Sequence, residues 1–166
     1  MPGKIEELAA VLEEELDLAN RLLDLAKDAR AAAIAVDPET LVQIVAEQEE
    51  CAARLEVAEA RRIETAGAVG RELGLDGREP VRLKAIAERA DGAQAARLRS
   101  LGSRLKRCSA ELREISARNC RLLESSLAHV GEFFVLLAEA RQKPAAYGAG
   151  GSPRPLAGAA LMDRKA

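Results

Sequence analysis

Hydrophobic residues recur at steps of three and four along most of the chain, which places them on one face of an α-helix. The pattern predicts a first helix over about residues 4–35 and a second over about 38–73. Asp37 lies between them as the predicted cap and Pro38 opens the second helix, because aspartate caps helix N-termini and proline suits the first helical position. Such a short connection predicts that the two helices pack as antiparallel neighbours.

Gly74 favours the end of the second helix, since glycine readily adopts the left-handed conformation that follows a helix. Beyond it, a short apolar pattern predicts a small extra helix over about residues 80–90. A third long helix is predicted over about 93–143, where apolar residues fill most heptad a and d positions from Leu98 onwards. At about 1.5 Å per residue it would be roughly 75 Å long. We therefore expect its seam to face the first two helices and, in part, another molecule.

The composition changes after Lys143, where proline and glycine become frequent. This favours a flexible tail over residues 144–166, following a helical domain over 1–143. The predicted fold is all-α: an elongated antiparallel helical bundle or coiled coil of three long helices, with a short extra helix and a flexible C-terminal tail.

The composition supports this fold class, because Ala, Glu, Lys, Leu and Arg supply 102 of 166 residues and β-forming residues are scarce. With only three aromatic residues, the core must consist of aliphatic seams, and we expect no walled pocket. The apolar runs are too short to span a membrane, no secretion signal precedes the first helix, and the three cysteines form no CxxC pair. We therefore expect a cytoplasmic protein with reduced thiols and no membrane insertion.

Catalytic patterns are scarce, and we expect no enzyme, no metal site and no cofactor. His129 is the single histidine, whereas a di-metal site in a helical bundle needs two Glu-x-x-His units. The run Glu13-Glu14-Glu15 spreads around the helix and is interpreted as a solvated surface. No phosphate-binding loop is present, and Cys108 at a d position is interpreted as a small core residue.

Charge is unevenly distributed: residues 1–50 have a net charge of −9, and residues 78–143 of +6. Residues 97–121 contain eight basic residues and only two acidic ones, a composition compatible with phosphate binding. No aromatic residue precedes Phe133, so base stacking there is excluded. Pairing between an acidic first helix and a basic last helix explains the pattern more simply, and we expect no nucleic acid partner.

The last helix carries more apolar surface over residues 112–137 than one neighbouring helix needs. Asn119, Ser126 and His129 interrupt its seam, either as buried polar groups that fix register or partner, or as solvent-facing positions. Spare apolar surface of this kind suits an amphipathic partner helix. The predicted partner-binding residues are Leu112, Ile115, Asn119, Leu122, Leu123, Ser126, Leu127, Val130, Phe133, Phe134 and Leu137.

The order of these segments and their local sequences resemble those of the FlgN-type flagellar export chaperones. A Leu/Glu-rich first helix, the corner Asp37-Pro38-Glu39-Thr40-Leu41 and a Gly74-Leu75 break are followed by a long helix. The stretch 117–127, ARNCRLLESSL, and a tail with Tyr147-Gly148 carry the resemblance furthest.

The resemblance implies a cytoplasmic chaperone that binds hook-associated, or hook–filament junction, proteins before their secretion and delivers them to the flagellar type III export gate. It implies that the C-terminal half engages the client and that Tyr147 and Gly148 dock to the gate component. An alternative of a different class is a self-associating coiled-coil structural or adaptor protein, so the chain is expected to be a monomer or a homodimer.

Overall fold

The computed structural model describes residues 2–75 and 81–142, and within them the chain is all-helical, as predicted. Its helices are α1 (Pro2–Ala35), α2 (Pro38–Glu72), α3 (Leu83–Arg89) and α4 (Gly92–Gln142). The chain divides into two units, Met1–Leu123 and Glu124–Ala166. The predicted division into a 1–143 domain and a tail from 144 falls on residues outside the described ones and stays a prediction.

The corner between α1 and α2 is built by the residues that the sequence indicates. α1 is followed by Val36, whose φ of 55° lies in the left-handed region, and Asp37 N donates a hydrogen bond back to Ala32 O at 3.0 Å. The Asp37 carboxylate then accepts from Thr40 N at 3.0 Å and from the Thr40 hydroxyl at 2.7 Å. Pro38 opens α2, where its missing N–H costs no intrahelical bond.

α2 ends in the same way, with Gly74 at φ +66° and Leu75 N donating to Gly70 O at 2.9 Å. Only glycine adopts this backbone conformation without steric cost from a Cβ atom. The role predicted for Gly74 is therefore confirmed.

α1 and α2 pack as antiparallel neighbours, since α1 residues late in the helix meet α2 residues early in it. Arg21 pairs with Glu47 at 2.6 Å, whereas Glu14 pairs with Arg61 at 2.8 Å. Their shared core is aliphatic, and the Cys51 thiol lies within it, 3.5 Å from Leu18 O. Its buried members are Leu18, Leu22, Leu25, Ala29, Ala32, Ile44, Cys51 and Ala58.

A second buried cluster brings α1, α2, α3 and the first part of α4 together. The Cys108 thiol lies 3.4 Å from Asn20 Oδ1, and Asn119 Nδ2 lies 2.7 Å from Ala26 O, so the two helices run parallel. The heptad positions Leu98, Leu101 and Cys108 are buried here, as the seam predicts. The cluster also buries Ile5, Leu8, Ala9, Leu12, Leu16, Ala19, Leu23, Ala66, Val69, Ile86 and Ala87.

The chain between α2 and α4 lies close against both long helices at two glycines. A Cβ atom built on Gly70 would lie 2.6 Å from a methyl carbon of Val81, and one on Gly102 would lie 2.9 Å from a methyl carbon of Leu83. These glycines therefore let residues 81–83 enter the space between α2 and α4. The predicted extra helix exists as α3, and the start of that prediction, Pro80, falls outside the described residues.

The acidic side chains of α1 are distributed between two basic neighbours. Arg97 of α4 forms ion pairs with Glu6 and with Glu13, the latter at 2.9 Å, and these bonds raise the pKa of its guanidinium. α2 supplies Arg61 and Arg62 to the next two glutamates of α1. Charge pairing between α1 and α4 thus agrees with the sequence interpretation, and α2 shares in it.

Candidate functional site

The predicted binding region divides at the boundary between the two units. In the first unit, Leu112 and Ile115 are half-buried and pack against the core clusters, while Leu122 is half-buried and Leu123 is 40% exposed. Leu112 and Ile115 therefore serve the fold, whereas neither core cluster includes Leu122 or Leu123.

Asn119 is bonded within the chain and does not face solvent. Its Nδ2 donates to Ala26 O of α1, and its Oδ1 is buried without a hydrogen-bond partner among the described residues. Of the two interpretations that the sequence allowed, a polar group inside the seam agrees with this geometry, because a buried amide fixes the register of two helices. Its role in binding stays a prediction.

In the second unit, every side chain described in α4, from 124 to 139, is exposed. Leu127, Val130, Phe134 and Leu137 recur at steps of three and four, and we call these four residues the α4 stripe. Their exposed fractions range from 40% for Leu137 to 72% for Leu127. Such a row of exposed apolar side chains is characteristic of a protein interaction surface.

Phe133 borders the stripe and is 58% exposed, with its ring edge-on to Phe134 at a centroid distance of 6.4 Å. Ser126 and His129 are exposed as well. Val135 and Leu136, which the sequence reasoning did not include, are exposed at 58% and 62%. The exposed apolar surface is therefore broader than predicted.

Glutamates lie away from the α4 stripe. At 100° per residue, Glu132 and Glu139 fall about 170° from its midline. No lysine or arginine occurs between Arg121 and Arg141. The stripe itself is thus free of charge, which suits a partner with an apolar face.

The first unit also holds a groove that the sequence did not predict. Two cavities, of about 400 and 350 Å³, share Arg62, Leu105, Ser109 and Arg113 as lining residues, so they form one continuous groove between α2 and α4. We call it the α2–α4 groove. Leu8, Leu12, Glu15 and Ala19 of α1 form its floor. The groove is open along one side, so it is no walled pocket, and it exists because the two outer helices pack on α1 and leave a space between them.

Glu15 lies on the floor of this groove, so its interpretation as a solvated surface residue is wrong. Its side chain is 3% exposed, Oε1 accepts from Arg62 Nε at 2.8 Å, and Oε2 has no partner among the described residues. Burial raises the pKa of Glu15, and the bond from Arg62 opposes that shift. The signal was present in the sequence: Leu8, Leu12, Glu15, Ala19 and Leu22 recur at steps of four and three.

Other candidate chemistry is sparse in the part of the chain that the structure describes. No group of three or more His, Cys, Asp and Glu residues there could hold a metal ion. Burial raises the pKa of the Cys108 thiol, which keeps it protonated near neutral pH, and the thiol packs in the core. Arg118 pairs with Glu114 of the same helix, and Arg121 donates to Ala117 O at 3.2 Å.

Comparison with protein families decides the relationship. The family described as FlgN protein matches residues 1–155, which is nearly the whole chain of 166 residues. The chain belongs to the FlgN family. The resemblance inferred from the residues is therefore confirmed. Comparisons with curated proteins and with solved structures gave no match.

FlgN proteins are flagellar export chaperones, so membership supports a chaperone role in flagellar biogenesis. The match includes Tyr147 and Gly148, which lie outside the residues that the structure describes. Within residues 2–75 and 81–142, no helix combines the length and the hydropathy needed to cross a membrane.

Proposed function

We propose that this protein is a cytoplasmic chaperone of the flagellar type III export system. It binds hook-associated proteins, keeps them soluble and delivers them to the export gate. The observation that carries this proposal is the exposed apolar surface of α4 in a chain of the FlgN family. A helix with such a surface is suited to hold an aggregation-prone amphipathic helix of a client.

The exposed surface can supply a large part of the affinity for a client. Five large apolar side chains on one side of α4, at 127, 130, 133, 134 and 137, are 40–72% exposed, whereas Val135 and Leu136 lie more than about 100° from the midline of the stripe. Since full burial of such a side chain stabilises by about 1.5–3 kcal/mol, half of that gives about 1 kcal/mol each. The gross gain of about 5 kcal/mol is more than half of the roughly 8 kcal/mol of micromolar affinity. Contacts from Leu112, Ile115, Asn119, Leu122, Leu123 and Ser126 would add to it.

The tail supplies the second step of the proposed function. Tyr147 and Gly148 would dock to the export gate component, an expectation that comes from the family resemblance. Deleting residues 144–166 should leave client binding intact and impair secretion of the client in a flagellated host. A deletion that also loses client binding would contradict this division of labour.

The experiment on binding compares two double variants with matched exposure. Leu127→Asp with Phe133→Asp places charges on the α4 surface, and Val42→Asp with Val57→Asp places them on exposed apolar positions of α2. By calorimetry with a purified junction protein, the α4 variant should bind at least about tenfold more weakly, whereas the α2 variant should bind like the parent. Circular dichroism checks that both remain helical.

An absence of binding between the parent protein and every junction protein at micromolar concentration would refute the chaperone proposal. The alternative function, a self-associating coiled-coil adaptor, uses the same apolar surface against a second copy. Sedimentation velocity separates the two, because self-association predicts a dimer that the α4 variant dissociates. We also propose coiled-coil packing of the three long helices, on the strength of the heptad spacing in α4.

A further inference from the structure

We propose that the α2–α4 groove binds an amphipathic helix of a partner protein whose apolar face is flanked by aspartate or glutamate. This inference rests on the proposed chaperone function and names the shape and charge of a client segment. It places that segment on the first unit, at a site separate from the residues of the α4 stripe.

The shape of the groove points to a helix. The protein's own chain enters the space between α2 and α4 at one end, where Val81 and Leu83 contact Gly70 and Gly102. Past that point the groove stays open along α4 as far as Arg113, eleven residues from Gly102 and thus about 17 Å. That length equals about three turns of helix. A helix laid there would complete a four-helix arrangement with α1, α2 and α4.

The floor of the groove is mostly apolar, and its two glutamates each form an ion pair with Arg62 through one oxygen, while Glu15 Oε2 has no partner among the described residues. Arg62 donates to Glu15 at 2.8 Å and to Glu59 at 3.3 Å. Lys106 and Arg113 of α4 also line the groove, and neither forms an ion pair within the described residues. The two basic side chains that form no ion pair within the described residues therefore lie on the α4 side of the groove, which we call the α4 wall. An occupant with carboxylates beside its apolar face would satisfy them.

The chain's own segments fit this charge pattern poorly. If the α4 stripe of a second copy entered the groove, Glu132 and Glu139 would point away from its walls. The C-terminal residues 143–166 carry four basic side chains and one acidic side chain, so the α4 wall would repel them. The charge complementarity thus favours a separate partner of acidic amphipathic type.

The test uses two synthetic 18-residue peptides with identical leucine faces, one flanked by glutamate and the other by lysine. Each is labelled with fluorescein and titrated with the full-length protein by fluorescence anisotropy. The glutamate peptide should bind about tenfold more tightly, because two favourable contacts to Lys106 and Arg113 replace two repulsive ones. Equal affinity for the two peptides would overturn the proposal.

Two double variants locate the peptide. Lys106→Glu with Arg113→Glu should reverse the preference between the peptides. Arg104→Glu with Arg107→Glu, a matched change on α4 at positions that do not line the groove, should leave the preference unchanged. If both double variants change the preference equally, the effect is one of net charge and the groove is not the site.

Ser109→Trp fills the groove and should abolish binding of the glutamate peptide without lowering the thermal midpoint. Peptide binding that survives this change but is lost in Leu127→Asp with Phe133→Asp would move the site to the α4 stripe and refute the proposal. If the parent protein is a dimer and Ser109→Trp dissociates it, a second copy of the chain occupies the groove. If deletion of residues 144–166 makes the peptide bind more tightly, the tail occupies the groove. Either result would overturn the assignment.

Failure of this inference is distinguishable from failure of the chaperone proposal. If junction proteins bind the parent protein but the peptides show no preference, the chaperone function stands and the groove assignment falls. If the glutamate peptide binds in the groove but no junction protein binds, the groove is a helix-binding site and the chaperone proposal falls.

Discussion

The pair Glu15–Arg62 offers the sharpest test of the energetics of this fold. Glu15 is 3% exposed and has one carboxylate oxygen without a partner in the described chain, and Arg62 holds the other oxygen. Replacing Arg62 with methionine keeps much of the packing and leaves a buried carboxylate unpaired. Removing one partner of a fully buried pair costs about 3–5 kcal/mol.

Here the cost should be smaller, about 2 kcal/mol, because the Arg62 side chain is 29% exposed and the groove admits water. For a chain of this length that corresponds to a decrease of about 4–8 °C in the thermal midpoint. Thermal and urea unfolding followed by circular dichroism at 222 nm measure it. Glu15→Gln should be neutral or stabilising at pH 7, since the raised pKa shows that burial outweighs the bond from Arg62.

The dependence on pH gives a second readout. Because the folded-state pKa of Glu15 is raised, the folded protein binds more protons than the unfolded one between the two pKa values. Protonation of Glu15 therefore favours the folded state. The stability that this group contributes is fully present below the unfolded pKa and is lost as pH rises through the folded pKa. Arg62→Met should raise the pKa further, so its deficit should shrink from pH 7 to about pH 5. A deficit that is constant with pH, or a destabilising Glu15→Gln, would refute this reasoning.

The remaining predictions concern two helix ends and one position inside α2. Asp37→Ala should lower the urea midpoint because it removes the hydrogen bonds from Thr40, whereas Asp37→Asn should retain most of the midpoint because asparagine also caps helices. The same hydrogen bonds lower the pKa of Asp37, so the stability that its carboxylate contributes is present above the unfolded pKa and is lost as pH falls through the folded pKa. Unfolding curves recorded over a series of pH values check this dependence. Gly74→Ala, at φ +66°, should destabilise by about 1 kcal/mol. Gly67→Ala, inside α2 with its nearest contact at 3.9 Å, should stabilise by about 0.5–1 kcal/mol, and equal effects of the two glycine changes in urea unfolding would contradict the backbone argument.

Much of the candidate site was predictable because it depends on local periodicity. The spacing of Leu127, Val130, Phe134 and Leu137 placed them on one helix face, and each of them is exposed in the second unit. Leu112 and Ile115 belong to the same predicted set, yet both pack against the core. Which part of a long apolar face is covered depends on where its neighbours lie, and periodicity carries no information about that.

Glu15 and the α2–α4 groove also depend on where neighbouring helices lie, which periodicity does not predict. The step pattern placed Glu15 on the buried face of α1, but the cluster of three glutamates suggested solvent, because an unpaired buried carboxylate is unfavourable. Arg62, 47 residues away, removes part of that penalty. Only the packing of α2 on α1 brings it near.

The sequence by itself determined the all-helical class, the corners at Asp37-Pro38 and Gly74, and family membership, since each follows from propensities, caps and order along the chain. The tertiary structure decided that α1 lies between α2 and α4, that a groove remains between α2 and α4, and which cations along it form no ion pair with the described residues. The physical reason is that helix formation is governed by neighbours three and four residues apart, whereas burial and ion pairing are governed by residues that only packing brings together.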